Sequence, residues 1–277
     1  MSGTLYVVGT PIGNLEDITL RQLRTLEETD FIAAEDTRVT RKLLNHYEIK
    51  KEVISYHEHS TADVLESIVA RLLSGESCAA VTDAGMPCIS DPGEPLVKMC
   101  YEKNIPVSVV PGPSAVVSAV AVSGQHTARF TFEGFLSMNK KERKAHLESL
   151  KDEKRTMVFY EAPHKLVKTL ADFKEYFGEE RKISFCRELT KIHEEVKIMT
   201  VSEAEKYYEI NAPRGEFVLV IEGKAPEEKK EFSLEGALLL VNEKISDGMK
   251  ANQACKEVAL STGISKSVLY SEYHKEK

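Results

Sequence analysis

Short apolar runs alternate with stretches of helical spacing through the first 122 residues. The runs fall at 5–8, 31–34, 53–55, 77–81 and 106–110, and most of them are apolar at successive positions rather than alternate ones. Strands of that kind are buried on both faces. Between them, 18–26, 37–46, 60–73 and 94–103 read as helices. In the third, Val64, Leu65, Ile68, Val69 and Leu72 recur at helical spacing. Thr37 is the expected cap of the second. Strand and helix in strict alternation predict a mostly parallel sheet covered by helices, over residues 1–122.

The pattern restarts after His126. Residues 130–135 alternate like a half-buried strand, and Asn139 is placed to cap the charged helix NKKERKAHLESL. Strands follow at 156–160, at 182–186 paired with 195–199, and at 216–221. Residues 127–225 therefore predict a second α/β domain with a mixed sheet. A charged linker is expected over 225–230, and the tail, 232–277, reads as helical. Its segments 252–260 and 264–273, joined through Ser261, Thr262 and Gly263, have the form helix, glycine turn, helix. That form suits a helix-turn-helix contact to nucleic acid as well as it suits a structural cap.

Three loops break the monotony: GTPIGN (9–14), DAGMPCISDPG (83–93) and PGPSA (111–115). Each follows the C-terminal end of a predicted strand, where open α/β sheets bind ligands. Glycine permits close backbone approach and proline holds a loop shape. The first loop is not G-x-G-x-x-G, because Gly9 and Gly13 are spaced differently and Pro11 intervenes. Glu35 nevertheless stands where a ribose-binding acid would in a dinucleotide fold. No GxxxxGK[ST] is present, and no lysine lies in these loops. Small, apolar and acidic, they suit a neutral or cationic ligand with an adenosine part.

Composition narrows the partners. The chain is 42% hydrophobic and 29% charged, with net charge −7, so any nucleic acid must be held by local basic patches. The small-apolar run 115–122 is far too short to span a bilayer. The N-terminus has no leader pattern. Five cysteines without a CxxC pair suit reduced thiols in a cytoplasm. His57-Glu58-His59 lacks a third clustered ligand, so no metal is expected.

The motifs GTPIGNLEDIT, AAEDTR, VTDAGMPCISDPG, VPGPSA, FEGFL, FYEAPH, RELTKIHEE and GEFVLVIEG run in order over residues 9–223. Together they resemble the ribosomal small-subunit RNA methyltransferase I family, cytidine-2′-O-methyltransferases of the tetrapyrrole-methylase superfamily. The resemblance implies two α/β domains of tetrapyrrole-methylase type with a helical extension, S-adenosylmethionine in the cleft, 16S ribosomal RNA of the small subunit as substrate, and a homodimer. It implies cofactor contacts from Pro11, Asp83, Gly85, Met86, Ile89, Ser114 and Ala115, with Ala162, Pro213 and Gly215 closing the cleft. Met86 stands where many superfamily relatives carry aspartate, which points to backbone contact there.

Methyl transfer from a sulfonium needs alignment and a dry site. A ribose hydroxyl is a weak nucleophile, so a base or a cation beside it helps. Glu35, Asp36, Arg38 and Glu161 are the candidate catalytic groups. Arg38, Arg41 and Lys42 at helical spacing, together with His164, Lys165, Arg187, Glu188 and Lys191, are candidates for holding RNA. The run Lys140, Lys141, Arg143 and Lys144 reads as a solvated helix face. Two other functions remain open at this point: a tetrapyrrole methylase of the same superfamily, and a non-enzymatic regulator binding nucleic acid through the tail.

Overall fold

The computed structural model describes residues 1–225 and 233–275. The expected linker and the outermost tail residues fall largely outside them. Residues 1–224 form one compact unit and residues 225–277 a second.

The first sheet contains β1 (Leu5–Val8), β2 (Phe31–Ala34), β3 (Glu52–Ser55), β4 (Cys78–Val81) and β5 (Val107–Val110). Their order is β3-β2-β4-β1-β5, and all are parallel. The helices between them are α1 (Leu20–Glu28), α2 (Thr37–His46), α3 (Ala62–Leu73), α4 (Glu94–Glu102) and α5 (Ala115–Val122). One face of the sheet packs Leu5, Phe31 and Cys78 on Ile68, Leu72 and Leu96. The other packs Val8, Ile32 and Ala79 with Leu26 and Leu44. Burial on both faces explains the near-continuous apolar runs.

Two helix starts differ from the sequence reading. Helix α2 is capped by Asp36, not Thr37: the Arg38 N–H donates to Asp36 Oδ1 at 2.8 Å. The short carboxylate reaches back from the extended residue before the helix, and Thr37 is already helical. Helix α1 begins at Leu20 because Thr19 and Gln22 form a reciprocal capping box. At the N-terminal rim of the sheet, Arg71 bonds Glu52 and Glu76 at 2.9 and 2.6 Å, and its guanidinium lies 3.6 Å over the Phe31 ring.

The second sheet contains β6 (Phe130–Phe135), β7 (Thr156–Glu161), β8 (Lys182–Arg187), β9 (Glu195–Thr200) and β10 (Phe217–Ile221), in the order β6-β7-β10-β8-β9. Only β6 and β7 run parallel, so the sheet is mixed. Helices α6 (Lys140–Leu150), α7 (Leu166–Phe177) and α8 (Val201–Ile210) belong to this sheet. One face buries Phe159, Phe173, Phe185 and Leu219. On the other, Val158, Cys186 and Val220 pack against Val116, Ala119 and Val120 of α5. Helix α5 thus joins the two sheets, and that is why it consists of small apolar residues.

The second unit is a helical bundle of α9 (Leu234–Ser246), α10 (Ala251–Thr262) and α11 (Lys266–Lys275) around Val241, Cys255, Val258 and Leu269. Gly263 ends α10 with φ +75°, a left-handed cap that glycine adopts without strain. Among the described residues, no helix is long and apolar enough to cross a membrane.

Candidate active site

Strands β4, β1 and β5 are neighbours, so the three loops recognised in the sequence emerge side by side. They are tied together through the backbone. Thr10 and Gly85 exchange both hydrogen bonds, at 2.9 and 3.1 Å, and the Gly9 N–H donates to the Val110 carbonyl at 3.1 Å. Gly9 and Gly112 lie so close that a Cβ on Gly9 would meet the Gly112 nitrogen at 2.9 Å. Gly85 has φ +87°, in the region that favours glycine.

Above these loops is a cavity of about 550 Å³. Its lower wall is Asp83 to Met86, Ile89 and Asp91, with Ile12, Glu35 and the start of α5 at Ser114 and Ala115. Its upper wall comes from the second sheet: Phe135, Tyr160, Glu161 to His164, and Val218. The size lies in the usual range for small-molecule sites.

Three carboxylates on the first-sheet side set the electrostatics. Glu35 Oε2 accepts the Asp83 N–H at 3.3 Å, and Asp83 Oδ1 accepts the Asp36 N–H at 3.1 Å. Burial raises the pKa of Glu35 and of Asp83. Asp91 is pushed up to about 6, chiefly by burial and then by the charges of Glu35 and Asp83. Beside Asp91 lies Thr82, only 3% exposed, whose hydroxyl partly offsets that rise. Such a wall favours a ligand carrying positive charge.

On the opposite wall Glu161 is 5% exposed. Its Oε1 accepts the Ala162 N–H at 2.8 Å, and its Oε2 accepts the Thr169 hydroxyl. Thr169 in turn accepts from Arg143 Nη2 at 2.8 Å, and Arg143 Nε bonds Asp172 at 2.6 Å. Arg143 is therefore not part of a solvated face: it is 6% exposed and braces the cavity wall from behind.

The structure brings Glu35, Asp83, Gly85, Met86, Ile89, Ser114, Ala115, Glu161, Ala162 and His164 to the cavity. It does not bring Pro11, Pro213 or Gly215 there. Ile12 lines it in place of Pro11. Pro213 belongs to a smaller concavity, and Gly215 packs on Glu188, whose Cγ a Cβ would meet at 2.6 Å. Asp36, Arg38, Arg41, Lys42, Lys165, Arg187, Glu188 and Lys191 also lie off the lining. Arg38 is 84% exposed and bonded to its own helix cap, Asp36, at 2.5 Å, which holds that carboxyl down at about 2. Lys191 spans Glu188 and Glu216 at 2.9 and 2.7 Å. Asp91 and Tyr160 were not among the expected site residues. Asp91 stood in the same loop, but only the fold turns it toward the other carboxylates.

The sequence pattern of the Tetrapyrrole (Corrin/Porphyrin) Methylases matches residues 4–205. The chain is 45% identical, over 97% of its length and 96% of the relative's, to Ribosomal RNA small subunit methyltransferase I of a Synechocystis species. It is 50% identical to the Thermotoga maritima protein of that name, over 80% of this chain and 99% of the relative. The chain belongs to the ribosomal RNA small subunit methyltransferase I family. Its fold also matches solved structures of other proteins at low identity. The methyltransferase CobJ superposes with a TM-score of 0.62 at 18% identity, covering 81% of this chain and 95% of CobJ. Diphthine synthase superposes with a TM-score of 0.60 at 14% identity, covering 80% and 90%.

A methyltransferase needs a methyl donor, and the residues present fit a sulfonium-bearing one. The acidic wall complements its charge. The glycine backbone at 85 and the small side chains of Ser114 and Ala115 leave room for close approach.

Proposed function

We propose that the protein transfers a methyl group from S-adenosylmethionine to the 2′-hydroxyl of a cytidine in 16S ribosomal RNA of the small subunit. The observation that carries this reading is the carboxylate trio Glu35, Asp83 and Asp91 on one wall of a largely apolar cavity, in a chain 45–50% identical to enzymes of that name. Backbone at Gly85 and Met86, with Asp83, Ile89, Ser114, Ala115 and Ala162, would hold the donor, which supplies an electrophilic methyl group on a cationic sulfur. Asp91 takes the proton of the 2′-hydroxyl as its oxygen gains the methyl group. Its raised pKa suits it to accept a proton near neutrality better than an ordinary aspartate. Glu35 and Asp83 maintain the negative field, and Glu161 positions Ala162 and His164 rather than reacting.

RNA reaches the cavity over its rim, where His164 is exposed beside Lys165 and where Arg38, Arg41 and Lys42 face solvent on α2. A homodimer in the cytoplasm fits the exposed Val109 on edge strand β5 and Val117 and Val122 on α5, an apolar strip that a second copy can cover. The test is a transfer assay with labelled S-adenosylmethionine and three acceptors: small subunits, free 16S RNA and a porphyrinoid. Label in a 2′-O-methylcytidine is the expected outcome. Label in the porphyrinoid alone would overturn the reading.

A further inference from the structure

A second concavity, of about 240 Å³, lies between β9, α8 and the turn leading into β10. We propose that it is a subsite for an RNA nucleotide flanking the methylated one, taking a backbone phosphate and a base. The inference rests on the RNA reading above and assigns a place the cavity itself does not cover.

Its lining holds three cations, Arg187, Lys197 and Arg214, against one carboxylate, Glu195. Arg187 and Lys197 share that carboxylate, at 3.3 and 2.9 Å. Arg214 is exposed, and among the described residues its guanidinium makes no ion pair or side-chain hydrogen bond. One negative group between three positive ones leaves the concavity cationic on a chain of net charge −7. That is the local basic patch a polyanion needs on an acidic protein.

The concavity also has an aromatic wall. Lys197 lies 4.5 Å from the Tyr207 ring centroid and donates to the Tyr207 hydroxyl at 2.6 Å, which fixes the ring. Tyr208 and Asn211 complete that side. Single-stranded RNA is held in this way, by cations on phosphates and aromatic faces under bases.

Position connects it to the chemistry. Phe217 lines both the concavity and the main cavity, and its register partner on β8 is Arg187. Arg187 Nη1 also reaches the Arg214 carbonyl at 3.5 Å. Phe217, 2% exposed, thus stands between the main cavity and the cationic recess, which opens on the side of the expected cleft turn Pro213 to Gly215.

The experiment compares wild type, Arg214→Glu and, as a matched change of charge on the exposed face of α7, Lys168→Glu. Steady-state methyl transfer to small subunits or 16S RNA is measured across a salt series, with donor affinity by calorimetry. For Arg214→Glu the expected result is a KM for RNA raised about tenfold or more and a flatter salt dependence, its slope reduced by about 1. Donor affinity and kcat at saturating RNA stay at wild-type values, and Lys168→Glu matches wild type throughout. If wild type methylates RNA but Arg214→Glu keeps its KM and salt slope, the subsite is overturned alone. Equal losses in both variants would also overturn it, as a general charge effect. A wild-type protein that transfers methyl groups to no RNA would overturn the underlying reading, and the subsite with it.

Discussion

Glu35 and Asp83 are locked head to neighbour: Glu35 accepts the backbone N–H of Asp83, and Asp83 accepts that of the residue following Glu35. The pair joins the ends of β2 and β4, so two loops that are 48 residues apart in sequence move as one. Replacing Asp83 by Ala removes an acceptor and part of the negative field. Donor affinity by calorimetry should fall about tenfold, which corresponds to about 1.4 kcal/mol. The melting temperature should change little, because the hydrogen bond lost lies at the solvent edge and the Asp36 N–H it leaves can be solvated.

Asp91 makes the activity and the stability depend on pH in opposite senses. Its folded pKa is about 6, above an unfolded value near 3.8. Glu35 and Asp83 face it from the first sheet, Tyr160 from the second, and Thr82 and Cys88 from its own loop. Below about pH 6 it carries a proton and cannot accept another, so single-turnover methyl transfer should fall as pH drops through 6. Asp91→Asn should abolish that step and show no such inflection. Above pH 6 the ionised group is held where ionisation is unfavourable, so Asp91→Asn should melt higher than wild type at pH 8, by on the order of 1 kcal/mol after solvent screening. The gain should shrink through pH 6 and vanish below about pH 4.

Gly85 tests the loop by conformation rather than by bulk. A Cβ there would meet Ile12 at 3.6 Å, an ordinary contact, but φ +87° is strained for any other residue. Gly85→Ala should cost about 1–2 kcal/mol in thermal or denaturant unfolding. It should also weaken donor binding, because the Thr10 bridge shifts. Unchanged calorimetric affinity would remove this loop from the donor site.

The buried chain from Asp172 through Arg143 and Thr169 to Glu161 makes a separate prediction. Thr169→Val keeps the shape but withdraws a hydrogen bond from a carboxylate that is 5% exposed. Stability should drop by about 1–3 kcal/mol. The KM for donor should rise more than kcat falls, because the Ala162 segment loosens while Asp91 is untouched.

The first sheet was readable because its inner strands β2 and β4 are buried on both faces and its other strands keep short apolar runs, so those runs and the loop punctuation carried the signal. Adjacency of the loops was not readable, since β4 inserts between β1 and β2 only in the fold. The role of Arg143 was hidden for a related reason. Its partner Asp172 lies 29 residues away on another helix, and a run of Lys and Arg reads as solvent-facing when that partner is unseen. Pro213 and Gly215 illustrate the limit of motif transfer: the turn is present, yet Lys191, Glu188 and Glu216 form an ion-pair network at it, and the cavity is lined by the strand that follows.

The uniform direction of β1 to β5 separates two jobs along a strand length of roughly 13 Å, from about 3.3 Å per residue. The far rim, clasped by Arg71, Glu52 and Glu76, carries no group that faces the cavity. Its exposed turn at Lys103 and Asn104 is a natural handle. A fluorophore or surface tether fixed there leaves the loop rim open to solution, so the enzyme can be immobilised in a known orientation and watched one molecule at a time as RNA comes and goes.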